Sequence, residues 1–110
     1  SDIYMINGNS HALETVLQIK KILGDEKIDL LFIDGDHSEE GVSLDYTMYK
    51  DFVSIGGIIA FHDIKDTLFH RERGCYVCNF WKNICVEKNE IINARIDFGG
   101  IGYIIQKEKI

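Results

Sequence analysis

Three short apolar runs, separated by two stretches with helical spacing, organise the first two thirds of the chain. Ile3-Tyr4-Met5-Ile6 closes at Asn7-Gly8-Asn9, the pattern of a buried strand followed by a turn. Ile28 to Ile33 is a second run, long enough for a strand and too short for a helix, and Asp34-Gly35-Asp36 ends it. Ile58-Ile59-Ala60-Phe61 is the third, ending at His62-Asp63. Between the first two runs, Ser10 is placed to cap a helix whose Leu13, Val16, Leu17 and Lys20 share one face, and Gly24 stops it. Between the second and third, Ser38 caps a helix with Glu39 and Glu40 in the turn where its dipole favours negative charge. Val42, Tyr46, Tyr49, Phe52 and Val53 keep the helical period up to Gly56-Gly57. Strand, helix, strand, helix, strand at this spacing predicts right-handed crossovers in a parallel sheet.

The last third changes character. Lys65 to Gly74 reads as a polar loop, and Val77, Phe80, Trp81, Ile84 and Cys85 mark an amphipathic helix. Ala94, Ile96 and Phe98 alternate with Arg95 and Asp97, Gly99-Gly100 turns, and Ile101 to Ile105 runs back. That pattern predicts an antiparallel hairpin at a sheet edge.

Composition narrows the partners. The 110 residues are 45% hydrophobic, enough for one core. The net charge of −6, with Lys and Arg scattered, argues against duplex nucleic acid, which demands a phosphate-neutralising patch. No apolar run approaches the roughly 20 residues that cross a bilayer, so no membrane is expected. Three cysteines make a poor disulfide framework and favour a reducing cytoplasm. Cys75-x-x-Cys78, with His70 and Cys85 nearby, reads either as half a zinc site or as buried thiols beside a helix; the absence of a second ligand pair favours the thiols.

Ligands of open parallel sheets bind beyond the carboxyl ends of the strands, where Asp34, Asp36, His37, His62 and Asp63 fall. Carboxylates from two strand ends suit a hard cation such as Mg²⁺, and a histidine beside them suits a general base. Helix capping and simple hydrogen bonding are the other uses of such residues. Asp34-Gly-Asp36 also resembles the acidic pair of metal-dependent glycosyltransferases, and more faintly the haloacid-dehalogenase phosphatases, whose further residue Ser38 does not supply.

The stretches Ile28-Asp-Leu-Leu-Phe-Ile-Asp-Gly-Asp-His-Ser-Glu-Glu-Gly-Val42 and Gly56-Gly-Ile-Ile-Ala-Phe-His-Asp-Ile64 resemble class I S-adenosylmethionine-dependent methyltransferases. Phe80-Trp81 and Gly100-Ile-Gly-Tyr103 fit as well. The nearest branch is the one with the macrocin and mycinamicin sugar O-methyltransferases and cephalosporin-hydroxylase-like proteins. The resemblance implies Asp34 and Asp63 as Mg²⁺ ligands and His37 as general base. His62 stands at the remaining metal position, where the sugar enzymes carry an acid. Gly8, Asn9 and Ser10 would touch the adenine side of S-adenosylmethionine, Asp34 and Gly35 its methionine end, and Asp36 would orient the loop. The acceptor would be a small molecule or sugar.

The family's glycine-rich turn and the acid ending its second strand have no counterpart here. Gly99-Gly100-Ile101-Gly102 lies between two strands with no helix after it. By family order, 3-2-1-4-5-7-6, the chain holds strands 3 to 7. The expectation is a Rossmann-like α/β fold lacking its first two strands, mostly parallel, with a C-terminal antiparallel hairpin. Residues 1–110 would form the C-terminal portion of one methyltransferase-like domain, inactive by itself. The strand from Leu30 to Ile33 would then have a bare apolar edge, covered either by the first strand closing onto it or by a second copy in a homodimer. A non-catalytic domain derived from a methyltransferase is the rival from another class.

Overall fold

The computed structural model describes residues 3–91 and 99–107. Four strands form one mixed sheet in the order β1-β2-β4-β3, where β1 is Ile28–Ile33, β2 Val53–His62, β3 Asn89–Ile91 and β4 Ile101–Ile105. β1 and β2 are parallel, with Leu30 opposite Ile58 and Ile33 opposite Phe61. The pairs β2–β4 (Ile59 opposite Ile104, His62 opposite Ile101) and β3–β4 (Asn89 opposite Tyr103) are antiparallel. The sheet is therefore mixed rather than mostly parallel, because only one crossover, through α2 (Glu39–Tyr49), joins neighbouring strands in the same sense. Its neighbour order matches the 4-5-7-6 part of the order given above.

Several local expectations change. The run Ile3–Ile6 makes no strand, and Ile3, Tyr4 and Met5 are exposed. Its apolar pattern is overridden because the following turn is tied to α2. Ser10 donates to Asp45 Oδ1 at 2.6 Å, and Tyr49 donates its hydroxyl to Ser10 O at 2.5 Å. Ile6 and Gly8 then face Leu31, Phe32 and Ile33 across a cleft instead of entering hydrogen-bonding register with them. A five-stranded closure onto β1 does not occur, and Leu30 and Phe32 stay about half exposed. Ser10, busy with Asp45, does not cap α1 (Leu13–Leu23); Ala12 precedes it with no side-chain cap, and Gly24 ends it at φ 59°. Ser38 caps α2 as expected, accepting from Gly41 N at 3.0 Å.

The helical pattern around Phe52 and Val53 breaks early, into a 3₁₀ turn (Lys50–Phe52) and then β2. Gly56 is not a separating turn. At φ 85° it sits in an irregular opening of β2, where pairing with β1 jumps from Val53 to Ile58. The polar loop contains a short helix, α3 (Leu68–Glu72), capped by Thr67. The expected strand at Ala94, Ile96 and Phe98 lies outside the described residues; among the described residues β4 pairs with Asn89–Ile91.

One face of the sheet carries the core. Phe61 and Ile59, on β2, are fully buried, and Val42 of α2 is nearly so. Phe61 meets the rings of Tyr46, Phe80 and Trp81 at centroid distances of 5.3–5.8 Å, tilted as aromatic quadrupoles favour. Phe80 and Trp81 belong to α4 (Val77–Asn83), so three elements converge on one ring. Trp81 also donates its indole N–H to Glu90 Oε2 at 2.7 Å, fastening β3.

Gly102 of β4 lies against this indole, and a Cβ there would come within 2.5 Å of Trp81 Cζ2. Gly102→Ala is expected to cost about 1–3 kcal/mol by overpacking. It would also red-shift the emission of Trp81, the sole tryptophan of the chain. Urea unfolding followed by fluorescence reads both.

Candidate functional site

Parallel pairing of β1 and β2 brings Asp34 and His37 out beside His62 and Asp63, because Ile33 and Phe61 are register partners and both strands end just beyond them. The side chains meet. His37 Nε2 lies 3.4 Å from Asp34 Oδ1 and 3.3 Å from Asp63 Oδ2. His62 Nδ1 contacts the same two oxygens, at 3.5 Å and 2.9 Å. One ligand atom each from Asp34, His37 and Asp63 lies within 4.8 Å of the others. Two imidazoles thus share two carboxylate oxygens, in a partly exposed group open to a ligand.

Asp63 is the best-fixed member. Its φ of 64° is left-handed, a conformation Asp tolerates better than most residues, and it turns the chain sharply off β2. Asp63 N donates to Gly100 O at 3.1 Å and Lys65 N to Gly99 O at 3.0 Å. Gly99 packs so closely that a Cβ would fall 1.8 Å from Asp63 Oδ1 and 2.8 Å from its Cα. Behind the carboxylate stands His70, 3% exposed, with Nε2 at 3.4 Å from Asp63 Oδ1 and Nδ1 at 2.6 Å from Thr67 Oγ1. Across the site, Tyr76 N donates to His37 O at 2.8 Å, pinning the β1–α2 loop to the start of α4.

Asp36 points elsewhere. Its Oδ1 accepts from Ser38 N at 2.9 Å, and this bond holds its carboxyl below the usual range. It therefore shapes the loop. Cys75 and Cys78 are buried free thiols whose pKa values burial pushes up.

A cleft of about 390 Å³ adjoins the cluster, within the range of small-molecule sites. Gly8, Ser10, Asp34 and Gly35 line it together, with apolar walls from Ile6 and Leu31. Asn9 instead builds the turn: its Oδ1 accepts from His11 N at 2.9 Å, and its carbonyl accepts from Ala12 N and the Thr15 hydroxyl. Asp45, 5% exposed, anchors the far wall; besides Ser10 it meets His11 Nε2 at 3.1 Å. Asp34 lies on both cleft and cluster.

Residues 3–64, more than half of the sequence, match a family model described as a methyltransferase domain. The chain belongs to this methyltransferase family. A protein of Acanthamoeba polyphaga mimivirus, described as uncharacterized, is 49% identical to it over 39 residues, which is 36% of this chain and 18% of that protein. The chain thus matches less than a fifth of that relative's length. The matched methyltransferase segment contains both strand ends and the whole cleft lining named above, and it stops just past Asp63.

The residues suit S-adenosylmethionine in kind: apolar walls for a base and ribose, a side-chain-free position at Gly8, and the Asp34 carboxylate where a cation would rest. They suit Mg²⁺ poorly. Mg²⁺ prefers an all-oxygen octahedron, whereas half the donors here are imidazole nitrogens.

Thr67 and Asp45 escaped the reading of the sequence, and His70 and Gly99 were read there for other roles, beside the cysteines and in a turn. Thr67-x-x-His70 has helix-capping spacing, and Asp45 falls one turn from Val42 and Tyr49 on the buried face of α2; both were visible signals. Gly99→Ala is expected to displace Asp63 and cost about 1–3 kcal/mol, lowering the melting temperature by several degrees.

A second measurement concerns Asp66, whose hydrogen bonds from Arg71 and Lys82 hold its pKa at about 2 and tie the α3 segment to α4. A depressed carboxylate stabilises the fold above its unfolded value and loses that contribution as pH falls. The stability gap between wild type and Asp66→Asn should therefore be full above pH 4 and close between 3.8 and about 2. Denaturant midpoints measured across that window check it.

Proposed function

We propose that this chain forms the acceptor side, and part of the cofactor side, of an S-adenosylmethionine-dependent O-methyltransferase acting on a small molecule or sugar hydroxyl. The observation that carries the reading is the sharing of Asp34 between the cleft and the His37–Asp63 cluster. A cofactor whose methionine end rests at Asp34-Gly35 has its reactive group beside a histidine. When bound, the cofactor supplies an electrophilic methyl on a sulfonium.

The chain's own residues do the rest. His37 Nε2, placed between Asp34 and Asp63, accepts the hydroxyl proton, and the carboxylates stabilise the imidazolium that results. Gly8, Ser10, Asp34 and Gly35 hold the cofactor, and the segment of residues 65–74 borders the acceptor. Much of the acceleration comes from holding the acceptor oxygen in line with the methyl.

Calorimetric titration of the full-length protein with S-adenosylhomocysteine tests the cofactor half. Binding should be lost or weakened at least tenfold by Gly8→Val, which fills the cleft, and little changed by His37→Gln. In a methyl-transfer assay against a panel of hydroxylated acceptors, His37→Gln should lower the rate by roughly 100-fold or more, the usual size of a general-base contribution. Binding of a nucleotide sugar but not of S-adenosylhomocysteine would overturn the assignment.

A further inference from the structure

His70 is as deeply buried as the core, 3% exposed, yet the proposed reaction gives it no part. We propose that His70 is a positioning residue: held in one tautomer by Thr67, it sets the plane of the Asp63 carboxylate and thereby the aim of His37, the proton acceptor. The inference rests on the proposed function for its effect on rate, but not for the arrangement of Thr67, His70 and Asp63.

The ring is fixed before it meets Asp63. The His70 carbonyl accepts from Arg73 N at 3.1 Å and from Cys75 N at 2.9 Å, which anchors the residue's backbone. Thr67 Oγ1 lies 2.6 Å from Nδ1 and also accepts the His70 backbone N–H at 3.2 Å. A hydroxyl oxygen that already accepts still has its own hydrogen to give, and here it donates to Nδ1. The ring proton then resides on Nε2, because the bond made by one ring nitrogen sets the state of the other. Nε2 lies 3.4 Å from Asp63 Oδ1. At that distance the contact is an attraction between an N–H dipole and a carboxylate rather than a short hydrogen bond.

Its importance lies in which oxygen it takes. Asp63 Oδ2 is the oxygen near His37 Nε2, at 3.3 Å, and near His62 Nδ1, at 2.9 Å. His70 meets the other one, Oδ1. The terminal torsion of an aspartate is broad, so a carboxylate held on one side only would swing. With an N–H dipole on the buried side and two imidazoles on the open side, the plane is fixed and Oδ2 stays directed at His37. The Cys75 thiol approaches the Asp63 carbonyl at 3.7 Å, so the stretch that presents His70 also holds the aspartate's backbone. Packing alone explains His70 less well. A leucine would fill similar space without burying two ring nitrogens, and a tautomer selected by a second side chain has no use in an apolar contact.

The test begins with nuclear magnetic resonance of the full-length protein, isotope-labelled at its histidine nitrogens. His70 should show a bare Nδ1 and a protonated Nε2. Thr67→Val should mix in the other tautomer, Thr67→Ser should restore the first, and Asp63→Asn should shift the Nε2 resonance. Kinetics follow, with S-adenosylmethionine as donor and the fastest-reacting member of the hydroxylated acceptor panel. His70→Leu and Thr67→Val should lower kcat by about tenfold to a hundredfold, the size of effect that a small misplacement of reacting groups brings. KM for the acceptor and the affinity for S-adenosylhomocysteine should hold, because neither ligand touches His70. His70→Gln, whose amide replaces the ring N–H facing Oδ1, and Thr67→Ser should keep most of the rate. Thr67 is half-buried and outside the core, so its variants report even where His70→Leu fails to fold. A ring protonated at Nδ1, a tautomer indifferent to Thr67→Val, an unchanged kcat in His70→Leu, or equal losses in the Gln and Leu variants would overturn the proposal. The expected spectra in a protein that binds no S-adenosylhomocysteine and transfers no methyl group sink the methyltransferase assignment alone.

Discussion

The contact between Gly99 and Asp63 is the constraint on which the site depends. A left-handed aspartate costs of order 1–2 kcal/mol relative to ordinary backbone, and here Gly99 and Gly100, just ahead of β4, accept backbone hydrogen bonds from Lys65 and Asp63 that hold the turn. The consequence is directional. The chain leaves β2 at an angle that aims the carboxylate toward β1 rather than up into solvent. His37 and His62 meet it there, and His70 comes in from behind. A Cβ at Gly99 would strike Asp63 itself, so the absence of a side chain there is what lets the carboxylate take this position.

A second, separate tie sets the opposite side of the site. Asp45, buried in α2, gathers Ser10 and His11, and Tyr49 holds the Ser10 carbonyl. This clasp converts residues that read as a strand into the wall of a cleft. The two ties share nothing except Asp34, which borders both regions. Methyl donor and methyl acceptor would therefore be positioned by different elements of the fold, meeting at one carboxylate.

Much of this was legible in the sequence, and the exceptions have physical causes. β1, α2, the later half of β2, α4 and β4 follow from apolar period and capping, because their buried faces are packed locally and in register. Ile3–Ile6 fails since a strand is defined by a partner edge, and long-range hydrogen bonds from Ser10 and Tyr49 carry the segment away from one. Gly56-Gly57 looked like a boundary, yet the same freedom at φ 85° serves an irregular strand. The strand ends placed Asp34, His37, His62 and Asp63 together because parallel register makes neighbours of residues that leave adjacent strands. His70 was obscured by its surroundings: a buried histidine inside a charged segment gives no periodic signal, and only Thr67 three residues earlier betrays the helix that buries it.

Three of the ties on the excursion from Asp63 to Tyr76 bear on the site. The excursion is rooted under Gly99 and Gly100, returns to its own root through His70, and is fastened at its far end to the carbonyl of His37. Between the second and third tethers lie Arg71, Glu72, Arg73 and Gly74, all exposed, with Gly74 at φ 69°. Added length at that bend costs little, about 0.6 kcal/mol for each doubling of a flexible loop, and leaves all three tethers in place. This exposed bend is thus a place where new recognition sequence can be added above the site while the charges beneath it stay where they are.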